Sequence, residues 1–216
     1  MNDYEALLHQ AKRLEALQEI RNLMGRYSYL HSAFRNKEYA ELWAKREDDR
    51  LVMPFGKFVG WEAVRHCYVD LHGDRSNPAD IDELRGLMMI HLMNTEIIEV
   101  AADGKTAKGV WLSPGTETAP QTGKEKGAWC WGKYEVEFIK EDGIWKFWHM
   151  ILYPLFLSPY NRSWGQPAPE KMLGQIQLED PMCQPLDAPM WEYGPDAEYP
   201  YDEPAMPDPY DHYKGL

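Results

Sequence analysis

Leu7, Ala11, Leu14, Leu17, Ile20, Met24, Tyr27, His31 and Phe34 recur at intervals of three and four. That spacing predicts one long amphipathic helix, and Asn2 or Asp3 can cap its start. Tyr27 and His31, four residues apart, share a face near its end, whereas Tyr29 lies towards a flank. A second helical pattern over residues 37–44 presents Tyr39, Leu42 and Trp43. Residues 50–55 read as a strand, and Gly56 and Gly60 bracket a turn after it. Helical spacing returns over residues 61–72, where Gly73 stops it, and one further helical turn is expected near 81–84.

The period then changes to two. Along residues 88–100, MMIHLMNTEIIEV, one face carries Met89, His91, Met93, Thr95 and Ile97, the other Met88, Ile90, Leu92, Asn94 and Ile98. Both faces are largely apolar, which predicts a strand covered on both sides. It pairs with residues 106–112 across Asp103-Gly104, and residues 127–140 pair with 144–154 across Glu141-Asp142-Gly143. TETAPQTGKEK, between the hairpins, reads as a polar loop. In the last hairpin Tyr134, Val136 and Phe138 share a face, as do Trp145, Phe147, His149, Ile151 and Tyr153. Helices first and antiparallel strands afterwards give an α+β order: a curved antiparallel sheet wrapped over an N-terminal helical layer, within residues 1–157.

From residue 158 the periodicity dissolves. Twelve of the 16 prolines lie from Pro154 onward, and residues 158–216 hold 11 Asp and Glu against 3 Lys and Arg. An irregular Pro/Tyr/acidic extension of this kind does not build its own core. Trp164, Met172, Leu173, Ile176, Trp191 and five late tyrosines make it apolar enough to lie along the domain or a neighbouring subunit. The net charge of −12 comes with no basic cluster, which argues against nucleic acid and anionic membranes as partners. Three scattered cysteines make neither a disulfide framework nor a CxxC metal site. Neither a secretory signal nor an apolar run of membrane-spanning length is visible, so a cytoplasmic location is expected. No GxGxxG, P-loop, GxSxG or HExxH occurs, and His66 and His72, six apart, fall on different faces; no metal and no cofactor is expected.

His91 is the residue around which a site can be argued. A lone imidazole on an apolar strand either finds a hydrogen-bond partner in the core or serves as an acid or base in a cavity. Four segments, in this order, carry a resemblance: IRNLMGRY, GKFVGWEAVRHCY, HLMNTEIIEVAADGKTAKGVWL and KYEVEFIKEDGIWKFWH. Together they resemble the SnoaL-like branch of the nuclear transport factor 2-like superfamily over roughly residues 14–155. The resemblance implies a cone-shaped α+β barrel, dimeric or trimeric, with a cavity between the concave sheet and the first helix. It implies cofactor-free dehydratase, cyclase or isomerase chemistry, and it makes His91 the first residue of the family's H-x-x-N strand motif. Ser32, with His31 beside it, stands where many catalytic members carry an Asp.

The expected catalytic residues are therefore His91 as proton carrier, His31 or His149 as its assistant, and Tyr27 to polarise a substrate oxygen. Trp111, Tyr134 and Phe147 are expected to line the cavity from the sheet, with Met89 and Met93 beside His91. Tyr29, Trp43, Met53 and Phe55 complete the expected lining. A few polar groups among apolar walls suit a hydroxylated small molecule with a ring: lignin-derived, polyketide-like or steroid. Loss of water, or a retro-aldol-type carbon–carbon cleavage, needs no cofactor if the substrate supplies its own electron sink. The alternative is a non-catalytic binding or assembly module on the same fold.

Overall fold

The computed structural model describes residues 2–118, 127–166, 178–200 and 203–215. Helix α1 runs Asp3–Ser32. It starts at a capping box: the Asn2 side chain accepts from the Glu5 N–H at 2.9 Å, and the Asn2 N–H donates to the Glu5 carboxylate at 2.9 Å. Its inward stripe begins only at Ala16 and continues through Ile20, Leu23, Met24, Tyr27 and His31. Leu7 and Leu14, placed on the same stripe by spacing, are 65% and 67% exposed.

Short helix α2, Asn36–Ala40, follows, then strand β1, Arg50–Met53. Residues 56–60 are not simply a turn: Gly56–Val59 form β2, antiparallel to β1. Helix α3, Trp61–Arg65, runs on as a π-helix over His66–Leu71, and Gly73 follows with φ +79°. The single turn α4, Ile81–Leu84, precedes the sheet strands β3, Met89–His91; β4, Asn94–Val100; β5, Thr106–Glu117; β6, Ala128–Glu141; and β7, Ile144–Pro159.

The sheet order is β2-β1-β7-β6-β5-β3, with β4 also on β5. The sheet is curved, unclosed and mixed, since β1 runs parallel to β7 while the other pairs are antiparallel. The expected single strand over 88–100 is interrupted at Leu92 and Met93. Opposite the gap sits Pro114, which has no N–H to give to the ladder; its carbonyl still accepts from the Leu92 N–H at 3.1 Å. The core lies between the concave face (Trp111, Tyr134, Val136, Phe138, Phe147, Met150) and α1, α2 and the π-helix.

The described parts of the C-terminal extension pack on the same chain. Lys57 and Gln184 exchange backbone hydrogen bonds at 2.8 Å, and Cys183 fills the space over Gly56. Tyr210 and Asp211 accept from the N–H groups of Ala102 and Asp103. Met172, Leu173 and Ile176, and residues 119–126 of the inter-hairpin loop, lie outside the described residues. No described helix is long and apolar enough to cross a membrane.

Candidate active site

At one end of the concave face three imidazoles meet. His31 from α1 stands with its ring centroid 6.3 Å from that of His91 on β3, stacked at 17°, and 5.4 Å from that of His72 at the end of the π-helix. The rings of His31 and His72 are each oriented by a hydrogen bond. The His31 Nδ1 donates to Asn36 Oδ1 at 2.9 Å, and the Asn36 amide donates in turn to the Gly73 carbonyl at 2.7 Å. The His72 Nδ1 donates to the Cys67 carbonyl at 2.7 Å. In the neutral rings these bonds leave Nε2 as the lone-pair nitrogen of both. Ser28 Oγ donates to the His91 carbonyl at 2.6 Å and pins β3 to α1.

The His91 ring lies against Gly115, its register partner on β5. A Cβ on Gly115 would fall 2.8 Å from His91 Nδ1 and 2.7 Å from the Ile90 carbonyl oxygen, so only glycine lets the imidazole lie there. Burial, with His72 nearby, lowers the His91 pKa to about 4. Burial likewise lowers His31 to about 3, with His72 and His91 adding to the effect against the Asn36 bond. His72 is also lowered by burial. The cluster is thus neutral at ordinary pH, a set of bases rather than cations.

Glu117 completes the site from the end of β5. Its Oε2 lies 3.9 Å from His91 Nε2, and its side chain is 6% exposed. Burial raises its pKa to about 7, against a hydrogen bond from Cys130. Oε1 of Glu117 and Oγ of Ser113 are buried without a hydrogen-bond partner among the described residues. Sequence reasoning missed Glu117 because Pro114-Gly115 reads as the end of a strand. Two steps of period two beyond Ser113 would have put Glu117 on the same inward face. His72 was missed too, although Val64, Tyr68 and His72 fall at steps of four.

The other expected site residues divide three ways. Phe55 sits beside His72 at 6.4 Å between ring centroids, and Met89 shares the inward face of β3 with His91. Met93 is part-buried against the core. Tyr27 and Tyr134 are inward and buried, their hydroxyls 2.9 Å apart, and burial pushes Tyr27 up to about 12. Trp43, Met53, Trp111 and Phe147 are packed deeper in the core. Trp43 meets Phe147 at 5.8 Å and Trp111 meets Phe138 at 6.0 Å between centroids, so these rings are wall and filling behind the histidines.

Two expectations are corrected. Tyr29 is 83% exposed and faces solvent from the flank of α1, so it lines nothing. His149 is on the opposite face of the sheet from Phe147. The register passes from Phe138 opposite Phe147 to Glu137 opposite His149, leaving Trp148 as an extra residue. That β-bulge turns Phe147 and Met150 inward and His149 outward. There its Nδ1 donates to Glu137 Oε2 at 2.6 Å and its Nε2 to the Asp48 carbonyl at 3.0 Å, far from the imidazole cluster.

Among the described residues no group of three His, Cys, Asp or Glu side chains is arranged to hold a metal ion. An interior of neutral bases and one carboxyl whose protonated form is favoured by burial, walled by Tyr, Phe and Met, suits proton transfer on an apolar molecule. The SnoaL-like domain family matches residues 12–151, and the chain belongs to that family. Solved structures share the fold. A candidate scytalone dehydratase from Novosphingobium aromaticivorans superposes with TM-score 0.56 at 19% identity, covering 75% of this chain and 99% of that one. The hexachlorocyclohexane dehydrochlorinase LinA-type3 from Novosphingobium barchaimii gives 0.55 at 16% identity, over 74% and 99%. None of the curated proteins compared matches the chain.

Proposed function

We propose that the chain is a cofactor-independent lyase acting on a hydroxylated aromatic small molecule, lignin-derived or polyketide-like, with a steroid as the wider class. The observation that carries it is His91 beside His31 on the concave face, with Nε2 of His31 left free to accept. His91 takes a proton from the substrate while a hydroxyl or a carbonyl fragment departs. A para-hydroxyaryl substrate absorbs the electron demand as a quinone methide. The fold neighbours bearing dehydratase and dehydrochlorinase names fit elimination chemistry. Tyr27, with its hydroxyl engaged by Tyr134, serves as wall.

His91→Ala is expected to lower kcat by at least about a hundredfold, the usual share of a positioned acid–base group. The measurement is steady-state turnover of para-hydroxyaryl carbinols by the folded variant. Near-normal turnover removes the assignment. The second reading, a ligand-binding module, draws on the ring-to-ring packing of Tyr27, Tyr39, Tyr68, Tyr134 and Phe147, which fills much of the interior. It is favoured if those carbinols bind and none is converted. A dimer or trimer belongs to the same proposal and is read by light scattering.

A further inference from the structure

Glu117 is placed to act on whatever His91 touches. Its carboxyl is inward on β5, directly beyond Gly115, on which the His91 ring rests. The groups facing it are His91 from β3 and Cys130 from β6, with His31 from α1 and His72 from the π-helix behind them. No Lys or Arg pairs with it among the described residues. Among the described residues no cation offsets the loss of water around this carboxyl, so burial favours its protonated form. Cys130 nearby favours the ionised form, and Oε1 is left without a partner among the described residues.

We propose that Glu117 is a catalytic acid that protonates the departing hydroxyl of the substrate. The proposal rests on the lyase reading and selects loss of water as the bond-breaking step. His91 Nε2 takes a proton from the carbon beside the carbinol, and that C–H electron pair becomes the new C=C bond. The C–O bond breaks with its electron pair on oxygen, and the Glu117 proton turns the leaving hydroxide into water. An imidazolium and a carboxylate then face each other across 3.9 Å, and return of the proton restores both groups. Nothing is consumed besides the substrate.

The full-length protein, Glu117→Gln, Glu117→Asp and His91→Ala are each given a para-hydroxyphenyl propanol bearing its hydroxyl on the benzylic carbon. The conjugated alkene is followed in the ultraviolet. Glu117→Gln is expected to lose at least about a hundredfold in kcat, with part recovered in Glu117→Asp. The wild type is expected to lose activity as pH rises through about 7, and Glu117→Gln to lack that limb. Infrared difference spectra between wild type and Glu117→Gln at a pH below about 7 are expected to show the carbonyl stretch of a neutral carboxylic acid. Wild-type turnover in Glu117→Gln overturns the acid and leaves the lyase reading standing. A carboxylate signal in place of the acid band overturns it whatever the turnover. An acid band with no conversion by the wild type removes the lyase reading, and the catalytic role with it.

Discussion

A histidine that cannot afford its charge changes how the folded chain answers to pH. His31 and His91, held at about 3 and about 4, take up protons in the unfolded chain from about 6.5 downward, while the folded chain takes up none until far lower. Stability is therefore present above about 6.5 and is lost as pH falls, at no more than about 1.4 kcal/mol per pH unit for each group. Glu117, raised to about 7, works in the opposite sense and loses stability as pH rises from about 4.3. His31→Gln is expected to flatten the fall in unfolding free energy between about pH 6.5 and 4, as read by urea titration at several pH values. A curve as steep as the wild type's means that His31 is already charged in the folded state.

One extra residue in β7 decides which side chains the site receives. Regular alternation puts Phe147, His149 and Ile151 on one face, whereas the bulge at Trp148 sends Phe147 and Met150 inward and His149 outward. Outside, the ring stacks on Trp148 with 4.2 Å between centroids and reaches Glu137; inside, it would meet Phe138 and the core rings without an acceptor. Deleting Trp148 removes the extra residue and leaves Phe147, His149 and Met150 alternating inward, outward and inward, with His149 still opposite Glu137. The expected result is a cooperative thermal transition at a lower temperature, with His149→Ala as the control that keeps the bulge. The Trp148 ring and its contacts with His149 and Tyr213 are lost while the inward side chains keep their places. Loss of the cooperative transition shows that the bulge itself is needed. A π-helix plays a comparable part at His66–Leu71, where the His72 N–H reaches back to the Cys67 carbonyl and the ring joins His31.

At the scale of the whole molecule, the extension closes over the outer face of the sheet. Burial alone would raise the Glu137 pKa, but His149, Lys108 and Tyr213 donate to its carboxylate and hold it below the usual range. That contribution is complete above the unfolded value near 4.3 and is lost as pH falls through the lower folded value. Tyr213 also covers Trp148, with 4.7 Å between ring centroids. Removing residues 203–216 is expected to lower stability by about 2–3 kcal/mol, the scale of hydrogen bonds to a buried charged group. It should also redden the tryptophan fluorescence as Trp148 becomes wet. An unshifted spectrum with unchanged stability shows that the sheet face is closed without this segment.

Periodicity and punctuation determined much of this protein unaided. The capped first helix, the two hairpins, the order of helices before strands and the inward Tyr27, His31 and His91 all follow from spacing, because period and turn chemistry act within a few residues. What spacing does not carry is a change of register. The strand break opposite Pro114, the bulge at Trp148 and the run of β5 past Pro114-Gly115 to Glu117 exist only once neighbouring strands are laid side by side. Whether a carboxyl or an imidazole keeps its charge depends on water excluded by residues remote in sequence. The His31–His72–His91 cluster and the raised pKa of Glu117 beside it were therefore decided by tertiary structure.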